Sequence, residues 1–287
     1  MIYLLLSVVF STSLFVIFKY FDIFKIDTLK AIVVNYIVAF VLGFVLADSS
    51  IPVGELPNQP WFLGAATLGL MFVSIFFVMA LTAQRNGVSV VSVAGKMSVV
   101  IPIIFGVILY EESLSAIKII GISLAVVAVY LASVKDDLNK HEKAGLLLPV
   151  ILFIGSGTID TTLKYVQINY VSESEVAVFS GSLFGFAALF GLIILVIKTI
   201  KKRESFGFKN LIAGIVLGVP NYYSIVFLIK ALQTKGIESS TLFTINNVGI
   251  VVVSTLVGLL LFKESFSLKN KIGILLAIFG IVLVAIA

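Results

Sequence analysis

Uninterrupted apolar stretches dominate this chain and leave it few ways to fold. Residues 31–47, 149–159, 183–197 and 272–287 carry no charged residue at all. A helix needs about 20 residues to cross the roughly 30 Å hydrocarbon core of a bilayer, and with their flanks these runs reach that length. Segments of this kind fill the chain, at 2–21, 29–47, 60–83, 88–110, 114–134, 144–166, 174–198, 210–232, 238–262 and 267–287. Hydrophobic residues make up 60% of the 287 and charged residues 12%, which excludes an ordinary soluble domain. Helices apolar all round are buried or lipid-facing rather than amphipathic, and a membrane barrel would need short alternating segments instead. The expected fold is therefore an all-α integral membrane protein of ten transmembrane helices. Met1 is followed directly by apolar residues without a basic n-region or a cleavage site, so the first segment is expected to remain as an anchor. The absence of cysteine removes disulfides and thiolate metal sites; no metal and no cofactor are expected. The net charge of +5 reports orientation rather than affinity for nucleic acid.

The two halves resemble each other. Gly106-Val-Ile-Leu109-Tyr-Glu-Glu112-Ser113-Leu-Ser115, followed by Gly121-Ile-Ser-Leu124-Ala125, recurs 152 residues later. The later copy reads Gly258-Leu-Leu-Leu261-Phe-Lys-Glu264-Ser265-Phe-Ser267, then Gly273-Ile-Leu-Leu276-Ala277. At an offset of 145, Ser11, Ser13, Lys19 and Tyr20 match Ser156, Thr158, Lys164 and Tyr165. Two matches in the same order mark an internal duplication of 1–134 and 144–287, joined by a charged loop at 135–143. Five spans per half is an odd number, so the second half is expected to insert inverted, a recurrent plan for secondary transporters. Fifteen of the twenty Lys and Arg residues, Lys25, Arg85, Lys198 and Lys209 among them, fall on the face reached at the end of the first span. Four fall on the other face, and Lys96 lies within a span. This bias puts both termini on the non-cytoplasmic side of the plasma (cell inner) membrane.

Glu followed by Ser and a Gly-centred apolar helix, repeated after the fourth and ninth spans, resembles the EamA-type transporters of the drug/metabolite transporter superfamily. Lys19 and Lys164, Pro102 and the ten-span length fit the same pattern. The resemblance implies a carrier with a central cavity between its halves, often an exporter of amino acids, other metabolites or drugs.

Polar groups inside a bilayer are costly and need a partner or a water-filled cavity. Lys96, deep in the fourth span, reads either as a cation meeting an anionic substrate or as a lysine snorkelling to the headgroups. Asn246 and Asn247 hold the corresponding place in the ninth span, as cavity residues or as interhelical glue. Asn35 and Tyr36, Gln84, and Asn221 with Tyr222 beside Pro220 are further cavity candidates. Asp160 and Lys164, four residues apart in acid-first order, read as a local ion pair or as a carboxylate coupling proton movement to transport. Glu112, Ser113, Gly121 and their copies Glu264, Ser265 and Gly273 read as structural, the acids and hydroxyls serving the starts of the helices that follow. Gly181-x-x-x-Gly185 and Gly214-x-x-x-Gly218 read as close-packing motifs.

These features favour a transporter of a small amino acid or organic anion, in lipid, with the proton as candidate coupling ion and a monomer or homodimer as the assembly. An efflux carrier for lipophilic drugs or cations is the alternative. An intramembrane enzyme fits poorly, since His141 lies in a charged loop and paired buried carboxylates are lacking. A channel fits poorly too, without a charged ring or filter sequence.

Overall fold

The computed structural model describes residues 2–45, 51–102, 104–105, 115–133, 145–172, 175–202, 206–232 and 239–286. Among them are ten α-helices and no strand. They are α1 (Ile2–Ile23), α2 (Thr28–Val45), α3 (Phe62–Asn86), α4 (Val88–Met97) and α5 (Ala116–Ser133), then α6 (Leu147–Tyr170), α7 (Val176–Lys202), α8 (Phe208–Leu232), α9 (Ser239–Leu261) and α10 (Leu268–Ile286). One helix falls on each expected span. Five of them, α1, α2, α3 and the greater parts of α7 and α8, are long and apolar enough to cross a membrane. Leu63, Phe208, Leu260 and Leu268 are 72–78% exposed, as side chains that face lipid rather than water must be.

The fourth span departs from the unbroken helix expected over 88–110. Regular helix stops at Met97, and a turn at 98–99 precedes a further helical stretch at 100–102. Pro102 has no N–H to give the Ser98 carbonyl four residues back, so Ser98 O accepts from Ile101 N at 2.9 Å instead. Gly157 of α6 packs into this break, where a β-carbon would come within 2.8 Å of Ser98 O.

The chain forms two compact units, each drawing on both sequence halves. The first comprises Met1–Tyr20, Val78–Thr158 and Tyr223–Ala287; the second comprises Phe21–Phe77 and Ile159–Tyr222. In the first, α5 and α10 lie antiparallel along a seam of small residues. Ala125, Ala128 and Ala277 are fully buried there, and a β-carbon on Gly280 would stand 3.3 Å from Gly121 O. Gly121 and Gly273, equivalent positions in the duplication, thus mark opposite ends of one interface. Asn270 closes it, donating to Leu131 O at 3.1 Å and Ala132 O at 3.0 Å, carbonyls that the end of α5 leaves without intrahelical partners.

In the second unit α2 runs between α7 and α8. Gly181 and Gly185 of α7 receive the rings of Phe44 and Phe40, while Gly218 of α8 lies against Val38 and Asn35 O. Both glycine motifs therefore serve packing. Asp27 caps α2, its Oδ1 accepting from Leu29 N at 3.1 Å and Lys30 N at 3.2 Å. Its Oδ2 pairs with Lys198 of α7 at 3.1 Å and with Lys30 at 3.5 Å, and its own N–H donates to Asn210 Oδ1 at 2.9 Å. One loop residue, through its carboxylate and its N–H, ties together α2, α7 and α8.

Burial pushes the Asp27 carboxyl up, but the Lys198 hydrogen bond, the Lys30 N–H and both lysine charges outweigh it, leaving the pKa below the ordinary value. A depressed folded pKa gives stability that is full above the unfolded value of about 3.9 and is lost as pH falls through the folded one. Asp27→Asn should therefore be less stable at neutral pH and show a shallower loss below about pH 4, measured by detergent-phase unfolding. Gly273→Ala, whose methyl would collide with the Ala132 backbone, should cost about 1–3 kcal/mol, read as a lower Tm.

Candidate functional site

The second unit brings together residues that lie far apart in the chain. Asn221 of α8 donates its Nδ2 to Asn35 Oδ1 of α2 at 3.1 Å, and both side chains are buried. Gly218, one turn before Asn221, allows the backbones close enough for this bond. Asn35 Nδ2 has no hydrogen-bond partner in the structure. Tyr36 is fully buried within the same unit; its hydroxyl donates to Phe72 O at 3.0 Å. Its ring packs between Phe76 and Phe184, with centroids 5.5 and 6.1 Å away. Tyr36 is thus a packing residue rather than an open cavity wall. Tyr222 is half-buried. Asp160 is exposed on α6, and the Lys164 side chain lies outside the described residues, as do Glu112 and Ser113.

The remaining candidates belong to the first unit. Lys96 is half-buried in the last turn of α4. The helix ends one residue later, and a cation in the last turn is a stabilising placement for the helix dipole in itself. Asn246 of α9 is 2% exposed, and its Oδ1 has no hydrogen-bond partner. An unpaired buried acceptor of this kind costs about 1–3 kcal/mol, so it marks a place where a donor is wanted. Asn247 is half-buried. Gln84 donates Nε2 to Phe18 O at 3.2 Å and accepts from Lys19 Nζ at its backbone carbonyl at 2.9 Å. Gln84 and the repeat-motif Lys19 join the ends of α1 and α3.

Glu264 has a different role from the one its sequence context suggested. The start of α10 is served by Ser267 and Asn270, whose side chains and N–H groups cap each other reciprocally at 2.9–3.2 Å. Glu264 reaches instead to α4, its Oε1 accepting from Val88 N at 2.7 Å and its Oε2 from Ser89 Oγ at 3.1 Å. A carboxylate at a helix N-terminus meets free N–H groups and the positive end of the dipole. Ser265 is exposed.

The Asn35–Asn221 bond has a measurable signature. Asn35→Leu or Asn221→Leu alone should destabilise by about 0.5–2 kcal/mol, because the surviving amide loses its partner inside the bundle. The double variant should cost less than the sum of the two, as a double-mutant cycle on detergent-phase stability would show.

Comparison with known proteins extends this picture. An uncharacterized protein of Haemophilus influenzae is 29% identical over 261 residues, 88% of this chain and 86% of its own. A crystal structure shares the fold, with a TM-score of 0.56 at 14% identity over 98% of this chain and 94% of its own. Residues 1–134 match the EamA-like transporter family. The apolar helices, with the match of residues 1–134 to the EamA-like transporter family of the drug/metabolite transporter superfamily, mark the chain as a multi-pass membrane protein.

Proposed function

We propose that the chain is a secondary transporter that exports a small amino acid or organic anion by alternating access. The match of residues 1–134 to the transporter family carries this reading. The second half supplies the complement. Glu264, Ser265 and Gly273 repeat Glu112, Ser113 and Gly121 in register, which supports two five-helix repeats, 1–134 and 144–287, inserted in opposite senses. The Lys and Arg bias favours a plasma (cell inner) membrane location with both termini outside the cytoplasm.

Lys96 is the group suited to a substrate carboxylate, and the unpaired Asn246 Oδ1 suits a donor such as a substrate ammonium. Together they favour a zwitterion or small anion over a bulky lipophilic cation. Asp160 is the candidate proton carrier, with Lys164 as its neighbour one turn on.

The decisive experiment is a metabolite screen on vesicles containing the purified protein. With a transported anion in hand, Lys96→Ala should weaken its binding by about 2–5 kcal/mol and abolish flux while the protein remains folded; unchanged flux would remove Lys96 from the path. For coupling, an imposed pH gradient should drive transport by the parent protein and not by Asp160→Asn. A gradient response that survives the substitution rules out the proton role.

A further inference from the structure

We propose that Glu264 is a releasable clasp, which holds the start of α4 against the end of α9 and whose detachment lets α4 swing. This rests on the transport reading above and names a positioning residue for it.

The slot around the carboxylate is built from two helices. Past the end of α9 the chain turns through Lys263 in the left-handed region, φ 49°, and the Glu264 N–H donates back to Gly258 O at 3.0 Å. Gly87, with φ 105°, precedes α4. A β-carbon on Gly87 would lie 2.7 Å from Glu264 Oε1, and one on Gly258 would lie 2.5 Å from Oε2. Neither position has room for a side chain while the carboxylate is in place. Val88 N, Ser89 Oγ and, at 3.4 Å, Ser89 N face the two oxygens. No Lys or Arg pairs with Glu264 among the described residues. Its charge is held by the α4 N-terminus and one hydroxyl.

That attachment differs in kind from the α5–α10 seam of the same unit. The seam is dry backbone-on-backbone packing, whereas Glu264 is half-buried and water can take over its hydrogen bonds. The segment it holds packs against α5, α9 and α10 but is set off by a backbone break at each end. α4 has 10 residues, bounded by the positive-φ Gly87 at one end and by the break at Ser98 at the other. A rod with joints at both ends moves as a body. Lys96 rides on it, about 12 Å from Val88 at 1.5 Å per residue. Freeing the Val88 end therefore re-aims the Lys96 end.

The chain has no cysteine, so single reporters are clean. Ser92, in the middle of α4, and Ala128, in the α5–α10 seam, are both fully buried. Ser92→Cys and Ala128→Cys would be placed singly in the parent and in Glu264→Gln, and labelled with a membrane-impermeant maleimide in reconstituted vesicles. Glutamine keeps the size and removes the charge that strengthens the cap. The expected result is labelling at Ser92→Cys about tenfold faster in Glu264→Gln, a local opening, with Ala128→Cys still protected. Unchanged labelling at Ser92→Cys overturns the clasp. Equal acceleration at both sites also overturns it, because Glu264 would then be a general stabilising cap. Labelling requires no substrate, so this failure leaves the transport reading intact, and a vesicle screen without flux leaves the clasp intact.

Discussion

Inside hydrocarbon, two apolar helices have no hydrophobic reason to prefer each other to lipid. Close backbone approach and hydrogen bonds that lipid cannot make have to supply the preference. Both compact units follow this rule. In one, α5 and α10 meet through Gly121, Gly273, Gly280 and buried alanines, with Asn270 donating to the last carbonyls of α5. In the other, α2 is gripped by Gly181 and Gly185 on one side and by Gly218 on the other, with Asn221 and Asn35 bonded one turn further along. Small residues admit the contact and an amide fixes its register.

The parts of the fold that depend on a single segment were legible in the sequence. Each span could be placed because hydrocarbon thickness sets a length that unbroken apolar runs either reach or miss. The glycine motifs were legible for a similar reason, since removing a side chain has one common use between membrane helices. The break after α4 lay outside what hydropathy can show, because Ser98 and Val99 are as compatible with a continuous span as with a turn. Pro102 carried the signal, and its effect falls four residues upstream, at the carbonyl it cannot reach.

Partnerships across the chain were hidden. Asn35 and Asn221 each stood out as costly, yet nothing local says that residues 186 positions apart share a hydrogen bond. Glu264 stood out through its repetition and was read toward the nearest helix start, which Ser267 and Asn270 already serve. Asp27 escaped notice, although an Asp just before the apolar run of α2 is an ordinary helix-start signal; its link to Lys198 spans 171 residues. Asp27, Asn35, Asn221 and Glu264 each act on a helix remote in sequence, so their chemistry is set by topology as well as by neighbours.

The interleaving of the two units has a consequence for biosynthesis. A nascent chain halted at residue 144 contains α1 to α5 but neither α7, α8 nor α10, and so holds incomplete portions of both units. α2 is then without its flanking helices and α5 faces lipid with its small-residue stripe. Neither unit can close until the second half has left the translocon, which makes assembly a late, long-range event rather than a domain-by-domain one. A premature stop anywhere before α10 should leave substrate for membrane quality control rather than a stable half-protein.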